Sequence, residues 1–212
     1  MKIAIFGASG GTGLLLTNRC LAAGHQVTAL LRSPESFPLR DRTNVIYGNA
    51  CDGHAVLQTV AGSDIVLSAL GARTWNKEDV LENAVPHIVT AMRQTGVRRI
   101  IALGSAGALP DSLDKQTFLR RWIVQRFVYT TFLKWPIASQ VSQYANLSAS
   151  GLDWTMVMPS ILNNLPGRGR YRIDADALPR NGNRISREDV AAFMMQQIDD
   201  PQWIGKGVYI TW

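Results

Sequence analysis

A strand-length apolar run, Lys2-Ile3-Ala4-Ile5-Phe6, leads directly into Gly7-Ala8-Ser9-Gly10-Gly11-Thr12-Gly13, and an apolar helical stretch follows at once. Glycines at this spacing constrain the chain more than any other feature it has. Each one removes a Cβ where the backbone must turn tightly, approach a phosphate or let a helix lie close on a strand. In that setting Gly7 makes the turn, Gly10 lets backbone amides reach a pyrophosphate, and Gly13 lets the helix pack on the sheet. The helix N-terminus then faces the anion. The motif predicts a dinucleotide site; the alternative is a purely structural glycine turn, and the strand before it and the helix after it favour the first reading.

Apolar runs of strand length recur along the 212 residues, at 2–6, 26–31, 43–47, 64–70, 98–103 and 153–158. Helical segments separate them. Segment 12–23 ends at Gly24, a natural helix stop, and segment 79–95 carries Leu81, Ala84, Val85, Ile88 and Met92 on one stripe before Gly96. Ser186-Arg187-Glu188-Asp189 places a hydroxyl at an N-cap and a carboxylate three residues on, which starts another helix before a closing strand at 207–211. Such alternation predicts one α/β domain spanning 1–212, a Rossmann-type doubly wound parallel sheet. A helical insertion around 108–138 and a small substrate-side region at about 160–185 complete the expected layout.

The stretch 117–138, TFLRRWIVQRFVYTTFLKWPIA, breaks the pattern, because it is crowded with aromatics and holds Arg120, Arg121, Arg126 and Lys134 with no acid. Arg126 and Lys134 interrupt every window long enough for a transmembrane span, so no integral membrane association is expected. The favoured reading is a helical insertion on the substrate side. An interfacial membrane helix and a self-association surface stay open.

Twenty-two Lys and Arg against 16 Asp and Glu give a formal charge of +6. That balance favours anionic ligands but is too diffuse to imply nucleic-acid binding. Cys20 and Cys51 lack CxxC spacing, and His25, His54 and His87 lie far apart, so no metal site is expected and the histidines read as structural. The N-terminal apolar run meets Gly7 after four residues with no signal-peptide core behind it, which points to a cytoplasmic protein.

The second strand ends in Leu30-Leu31-Arg32-Ser33. An acid there would bind a ribose 2′-hydroxyl, whereas an arginine accommodates a 2′-phosphate, so Arg32 argues for NADP(H) over NAD(H). The alternative for Arg32 is a solvated loop charge.

Taken in order, KIAIFGASGGTG, LLRS, DIVLSALGAR, AMRQTGV, GSA, SGLDWTMVMPS, GRYRI and ISREDVAAFM resemble the atypical short-chain dehydrogenase/reductases of the NAD(P)H-binding, NmrA-like class, especially the biliverdin reductase B/flavin reductase family. The likeness spans nearly the whole chain. It implies that Gly7, Ala8, Ser9, Gly10, Gly11, Thr12 and Gly13 hold the pyrophosphate, that Arg32 and Ser33 hold the 2′-phosphate, and that Asn49 and Ala50 meet the adenine edge. It further implies that Leu70, Gly71, Ala72 and Arg73 line the nicotinamide and substrate side, that Ser105 stands near the hydride-transfer site, and that Pro159 and Ser160 close over the nicotinamide.

Ordinary short-chain dehydrogenases use Tyr-x-x-x-Lys, the lysine lowering the tyrosine pKa for proton transfer. Here Tyr144 has Ser148 four residues on, and no tyrosine has a lysine at that spacing. Ser105 and, more weakly, Tyr144 remain the candidate catalytic groups. The resemblance implies an NADPH-dependent oxidoreductase whose acceptor is small, planar and needs little acid catalysis, a flavin or a biliverdin-like tetrapyrrole, with Trp75, Trp122 or Trp135 available to stack on it. The alternative is a non-catalytic NADP(H) sensor of the NmrA type.

Overall fold

The computed structural model describes residues 1–71, 80–107, 109–123 and 134–212, without the side chains at 110, 119, 120, 123 and 134–136. Strands β1 (Lys2–Phe6), β2 (Gln26–Leu31), β3 (Asn44–Tyr47), β4 (Ile65–Ser68), β5 (Arg99–Leu103), β6 (Asp153–Pro159) and β10 (Lys206–Thr211) lie side by side with β8 (Arg172–Asp174). The order across this sheet is β3-β2-β1-β4-β5-β6-β10-β8. All pairings in it are parallel except β8 against β10. Helices α1 (Gly11–Ala22), α2 (Gly53–Val60), α3 (Val80–Thr95), α4 (Phe118–Ile123), α5 (Lys134–Ser148) and α6 (Arg187–Gln196) complete the architecture, with a small parallel pair β7 (Ile161–Asn163) and β9 (Arg184–Ser186) beyond the end of β6. This is the doubly wound Rossmann-type sheet that the alternation predicts.

The sheet is covered on both faces, which is why its strands read as near-continuous apolar runs. Successive residues of β1 serve opposite cores: Ala4 and Phe6 pack with α2, α3 and α5, whereas Ile3 and Ile5 pack with α1 and α6. Burial of each such large side chain contributes roughly 1.5–3 kcal/mol.

Helix ends follow local chemistry. Gly24 takes φ +80° after α1, and the amides of Gly24 and His25 return to the carbonyls of Leu21 and Cys20, the paired closure that a glycine stop allows. At α6, Ser186 Oγ accepts from Asp189 N at 3.0 Å, as the capping pattern predicts. The Asp189 carboxylate does more than cap. It accepts from Arg168 N and Gly169 N, each at 2.9 Å, from Ser186 Oγ at 3.0 Å and from Trp212 Nε1 at 2.7 Å, tying the 163–172 segment and the last strand to this helix.

The structure redraws two expectations. Residues 134–138, assigned to the insertion, are the first turn of α5, the helix that returns the chain from β5 to β6. Within the insertion α4 is helical, with Phe118 83% and Trp122 50% exposed, while 124–133, including Arg126, lie outside the described residues. The run 64–70 is a strand only over 65–68; Ala69 N still donates to Phe6 O at 2.8 Å, and Ala69 and Leu70 line a cleft. Among the described residues no helix is long and apolar enough to cross a membrane.

Candidate cofactor site

The chain reverses its direction of sheet growth between β1 and β4, and the crevice outside the strand ends at that point is where open α/β sheets bind ligands. A cleft of about 410 Å³ lies there. The glycine turn forms its floor. Gly7 has φ +76°, and a Cβ on it would meet the Ala69 carbonyl oxygen at 2.6 Å; a Cβ on Gly13 would collide with the Gly7 carbonyl oxygen. Gly10 has only that same carbonyl oxygen near its Cβ position, at 3.3 Å, so its upper side is open to a ligand. The first turn of α1 holds no acidic residue, leaving its amides to an anion.

The other lining residues come from the strand ends that sequence order predicts. Arg32 follows β2, Asn49 and Ala50 follow β3, and Leu70 and Gly71 follow β4, with Gly7, Ser9, Gly10, Gly11 and Thr12 below them. Arg32 is exposed at the mouth. Asn49 Oδ1 accepts from Cys51 N at 3.1 Å, which shapes this turn. Ser33 is exposed beside Arg32, while Ala8 is fully buried in the core under the turn. Ala72, Arg73 and Trp75 lie outside the described residues, as does the side chain of Trp135.

Ser105, Pro159 and Ser160, at the ends of β5 and β6, are not among the residues that line this cleft. Ala106 N donates to Pro159 O at 2.9 Å, so the turn carrying Ser105 and the end of β6 are joined. Ser105 Oγ accepts from Gly107 N at 3.5 Å. Ser160 Oγ is 2.9 Å from Thr211 Oγ1 and 9% exposed, so this hydroxyl ties β6 to β10 and holds the loop behind Pro159.

Tyr144 is not brought to the cleft. Its ring meets Trp154 edge-on at 5.4 Å between centroids, and its Cε2 is 3.2 Å from the Cβ position of Gly207. Trp154 and Gly207 stand near the starts of β6 and β10, so Tyr144 packs at the opposite end of the sheet from the cleft. The physical reason is the turn of about 100° per residue along α5, which aims the adjacent side chains 143 and 144 in different directions. Facing the strand end instead is Gln143, whose Nε2 donates to Leu103 O at 2.9 Å. The histidines are elsewhere: His87 packs on Gly53, and His25 Nδ1 is 3.4 Å from the N-terminus.

Of the lining residues that escaped the sequence reading, Arg187 is the charged one. Arg187, the first residue of α6, also lines the cleft, with its Cδ and Nε 3.0 and 3.1 Å from the Cβ position of Gly11. Its Nη1 donates to Asn164 Oδ1 at 2.7 Å. Because α6 packs beside α1, its N-terminus emerges next to the glycine turn, a proximity that local sequence does not encode. Two guanidinium groups, Arg32 and Arg187, thus stand on the cleft, and no carboxylate lines it among the described residues. Open glycine positions, helix amides and unneutralised arginines fit a dinucleotide with a phosphorylated ribose.

Comparisons with known proteins agree with this geometry. The chain is 25% identical over 99% of its length to a probable pinoresinol-lariciresinol reductase of Arabidopsis thaliana, of which it spans 67%. It spans only 12% of much longer Mycobacterium tuberculosis and Mycobacterium bovis proteins that match half of it at 33% identity. Among solved structures, a Burkholderia pseudomallei protein described as exported is 26% identical with a TM-score of 0.81 over the whole of both chains. A Veillonella parvula short-chain dehydrogenase/reductase in complex with NADP shares the fold at 19% identity and a TM-score of 0.80, covering 100% of this chain and 94% of that one. A Streptococcus pneumoniae protein described as an NADH-flavin reductase does so at 22% and 0.81, covering 100% and 99%. The family model for NAD(P)H-binding proteins matches residues 7–201, and the chain belongs to that family.

Proposed function

We propose that this protein is an NADPH-dependent reductase that passes hydride to a small planar acceptor, a flavin or a biliverdin-like tetrapyrrole. The observation that carries the reading is the glycine-floored cleft at the sheet's switch point, with Arg32 and Arg187 on it and no opposing carboxylate. Bound there, NADPH supplies the hydride. Gly7, Ser9, Gly10, Gly11, Thr12 and Gly13 hold the pyrophosphate against the helix amides, Arg187 closes over it, and Arg32 with Ser33 takes the 2′-phosphate. Asn49 and Ala50 meet the adenine, and Leu70, Gly71, Pro159 and Ser160 form the nicotinamide end.

Ser105, whose Oγ accepts from Gly107 N and keeps its own proton to donate, is assigned the hydrogen bond to the acceptor. With Tyr144 on the far end of the sheet, the acceptor's proton comes from solvent, which a flavin nitrogen permits. Proximity of the two rings then supplies much of the rate. Reductase relatives support this reading, and the Streptococcus protein of the same fold supports the flavin class. The unpaired cysteines, Cys20 buried and Cys51 partly so, fit the reducing cytoplasm. The exposed Phe118 and Trp122 offer a surface for weak self-association.

Following NADPH absorbance with FMN, riboflavin or biliverdin tests the reading. Acceptor-dependent oxidation is expected. Tight NADPH binding without turnover for any of them would replace it with a cofactor sensor, a reading favoured by the distance of Tyr144 from the cleft.

A further inference from the structure

The small parallel pair of β7 and β9 ends with Asn163 opposite Ser186. One step beyond each stand Asn164 and Arg187, and Asn164 Oδ1 accepts from Arg187 Nη1 at 2.7 Å. Arg187 is the half-buried cleft residue that lies across Gly11. The backbone on both sides of this bond is held. Ser186 Oγ caps α6 through Asp189 N at 3.0 Å, Asn163 Oδ1 accepts from Leu165 N at 2.9 Å, and Gly167 N donates to Glu188 Oε2 at 2.8 Å. Asn164 is therefore fixed between the end of β7 and the first turn of α6.

Arg187 has no anionic partner. No carboxylate among the described residues lies within ion-pair distance of it, and the two acids that follow it in sequence are turned elsewhere. Glu188 meets Arg19 Nη2 at 3.3 Å as well as Gly167 N, and Asp189 accepts from Arg168 N, Gly169 N, Ser186 Oγ and Trp212 Nε1. Among the described residues, Asn164 is the one group that receives a hydrogen bond from the Arg187 side chain.

The amide suits this place for a chemical reason. A carboxylate there would hold the guanidinium but cancel its charge, and an apolar side chain would leave a long, flexible arginine to sample many rotamers. An amide oxygen orients the group while leaving its full charge, and the remaining N–H groups of the fork, to an anion. A side chain ordered in advance loses less freedom when its ligand arrives. We propose that Asn164 is a positioning residue for the cofactor's pyrophosphate, holding Arg187 over the glycine turn as an uncompensated cation, a role that rests on the placement of NADPH in this cleft.

NADPH dissociation constants, read by fluorescence titration for wild type, Asn164→Ala, Asn164→Asp, Arg187→Ala and the Asn164→Ala/Arg187→Ala pair, test the role. Asn164→Ala should weaken NADPH about three- to tenfold, the size of one hydrogen bond. With Arg187 already replaced, it should change the affinity by less than about twofold, because Asn164 acts through that side chain. Asn164→Asp keeps the shape and the acceptor oxygen but should weaken NADPH at least as much as Asn164→Ala, with a loss that shrinks as salt rises. Asn164 is exposed, so these variants fold, and melting temperatures check that they do. Wild-type affinity in Asn164→Ala or Asn164→Asp, or an equal loss with and without Arg187, would overturn the proposal. A wild-type protein that fails to bind NADPH would overturn the cofactor reading itself, and the role of Asn164 with it.

Discussion

Arg187 lies across Gly11: its Cδ and Nε approach the Cβ position of that glycine to 3.0 and 3.1 Å. A residue from the last helix thus roofs a turn made by the first 13 residues. Arg187→Ala should weaken NADPH about tenfold or more, the worth of a charged hydrogen bond, while the melting temperature stays close to wild type. Arg187→Lys should recover part of the loss. Equal affinity in Arg187→Ala, read by fluorescence titration, would remove Arg187 from the site.

The glycines differ in what they tolerate. A Cβ on Gly13 meets the backbone oxygen of Gly7, whereas one on Gly24 meets nothing and is opposed only by φ +80°. Gly24→Ala should therefore cost about 1–2 kcal/mol and leave cofactor affinity intact. Gly13→Ala must shift α1 against β1, costing about 1–3 kcal/mol and abolishing NADPH binding. Denaturant melts beside NADPH titrations separate the two effects.

Tyr144 provides a test of the mechanism. Its ring packs on Trp154, so Tyr144→Phe should leave acceptor-dependent NADPH oxidation within about twofold of wild type, because a hydroxyl remote from the reaction has no transition state to stabilise. A loss of about a hundredfold, the least expected of a general acid, would put the hydroxyl in the chemistry.

Burial alone would raise the Asp189 carboxyl, but hydrogen bonds from Arg168 N, Trp212 Nε1, Gly169 N and Ser186 Oγ outweigh it and hold the group below the usual carboxylate value. A depressed folded-state pKa contributes stability that is present above the unfolded value, about 3.9, and is lost as pH falls through the lower folded value. Asp189→Asn should cost about 2–4 kcal/mol at pH 7, as lost charge-assisted bonds do, and should flatten the decline of stability below pH 4. Urea midpoints at pH 7 and pH 3 measure both.

Much of this was legible before any coordinates. The glycine turn, the Gly24 helix stop and the Ser186 cap follow from local rules, since each depends on residues adjacent in sequence. Arg32, Asn49 and Gly71 follow because strand ends in a parallel sheet share one edge. What local rules could not reach are contacts between distant elements. Arg187 lies 176 residues from Gly11 and meets it only because α6 packs on α1. Tyr144 reads from sequence either as a weak proton-donor candidate or as a ring packed on the sheet, and spacing alone does not choose between them; its ring packs on Trp154. The short strands β7, β8 and β9, of three residues each, carry too little apolar alternation to announce themselves.

The claim that the cleft is an NADP(H) site is tested most directly by NADPH and NADH dissociation constants for wild type and Arg32→Ala. Wild type should prefer NADPH, and the substitution should weaken NADPH about 10- to 100-fold while changing NADH little, as loss of one guanidinium–phosphate contact requires. Equal loss for both cofactors, or no wild-type preference, would contradict the assignment of Arg32 to the 2′-phosphate.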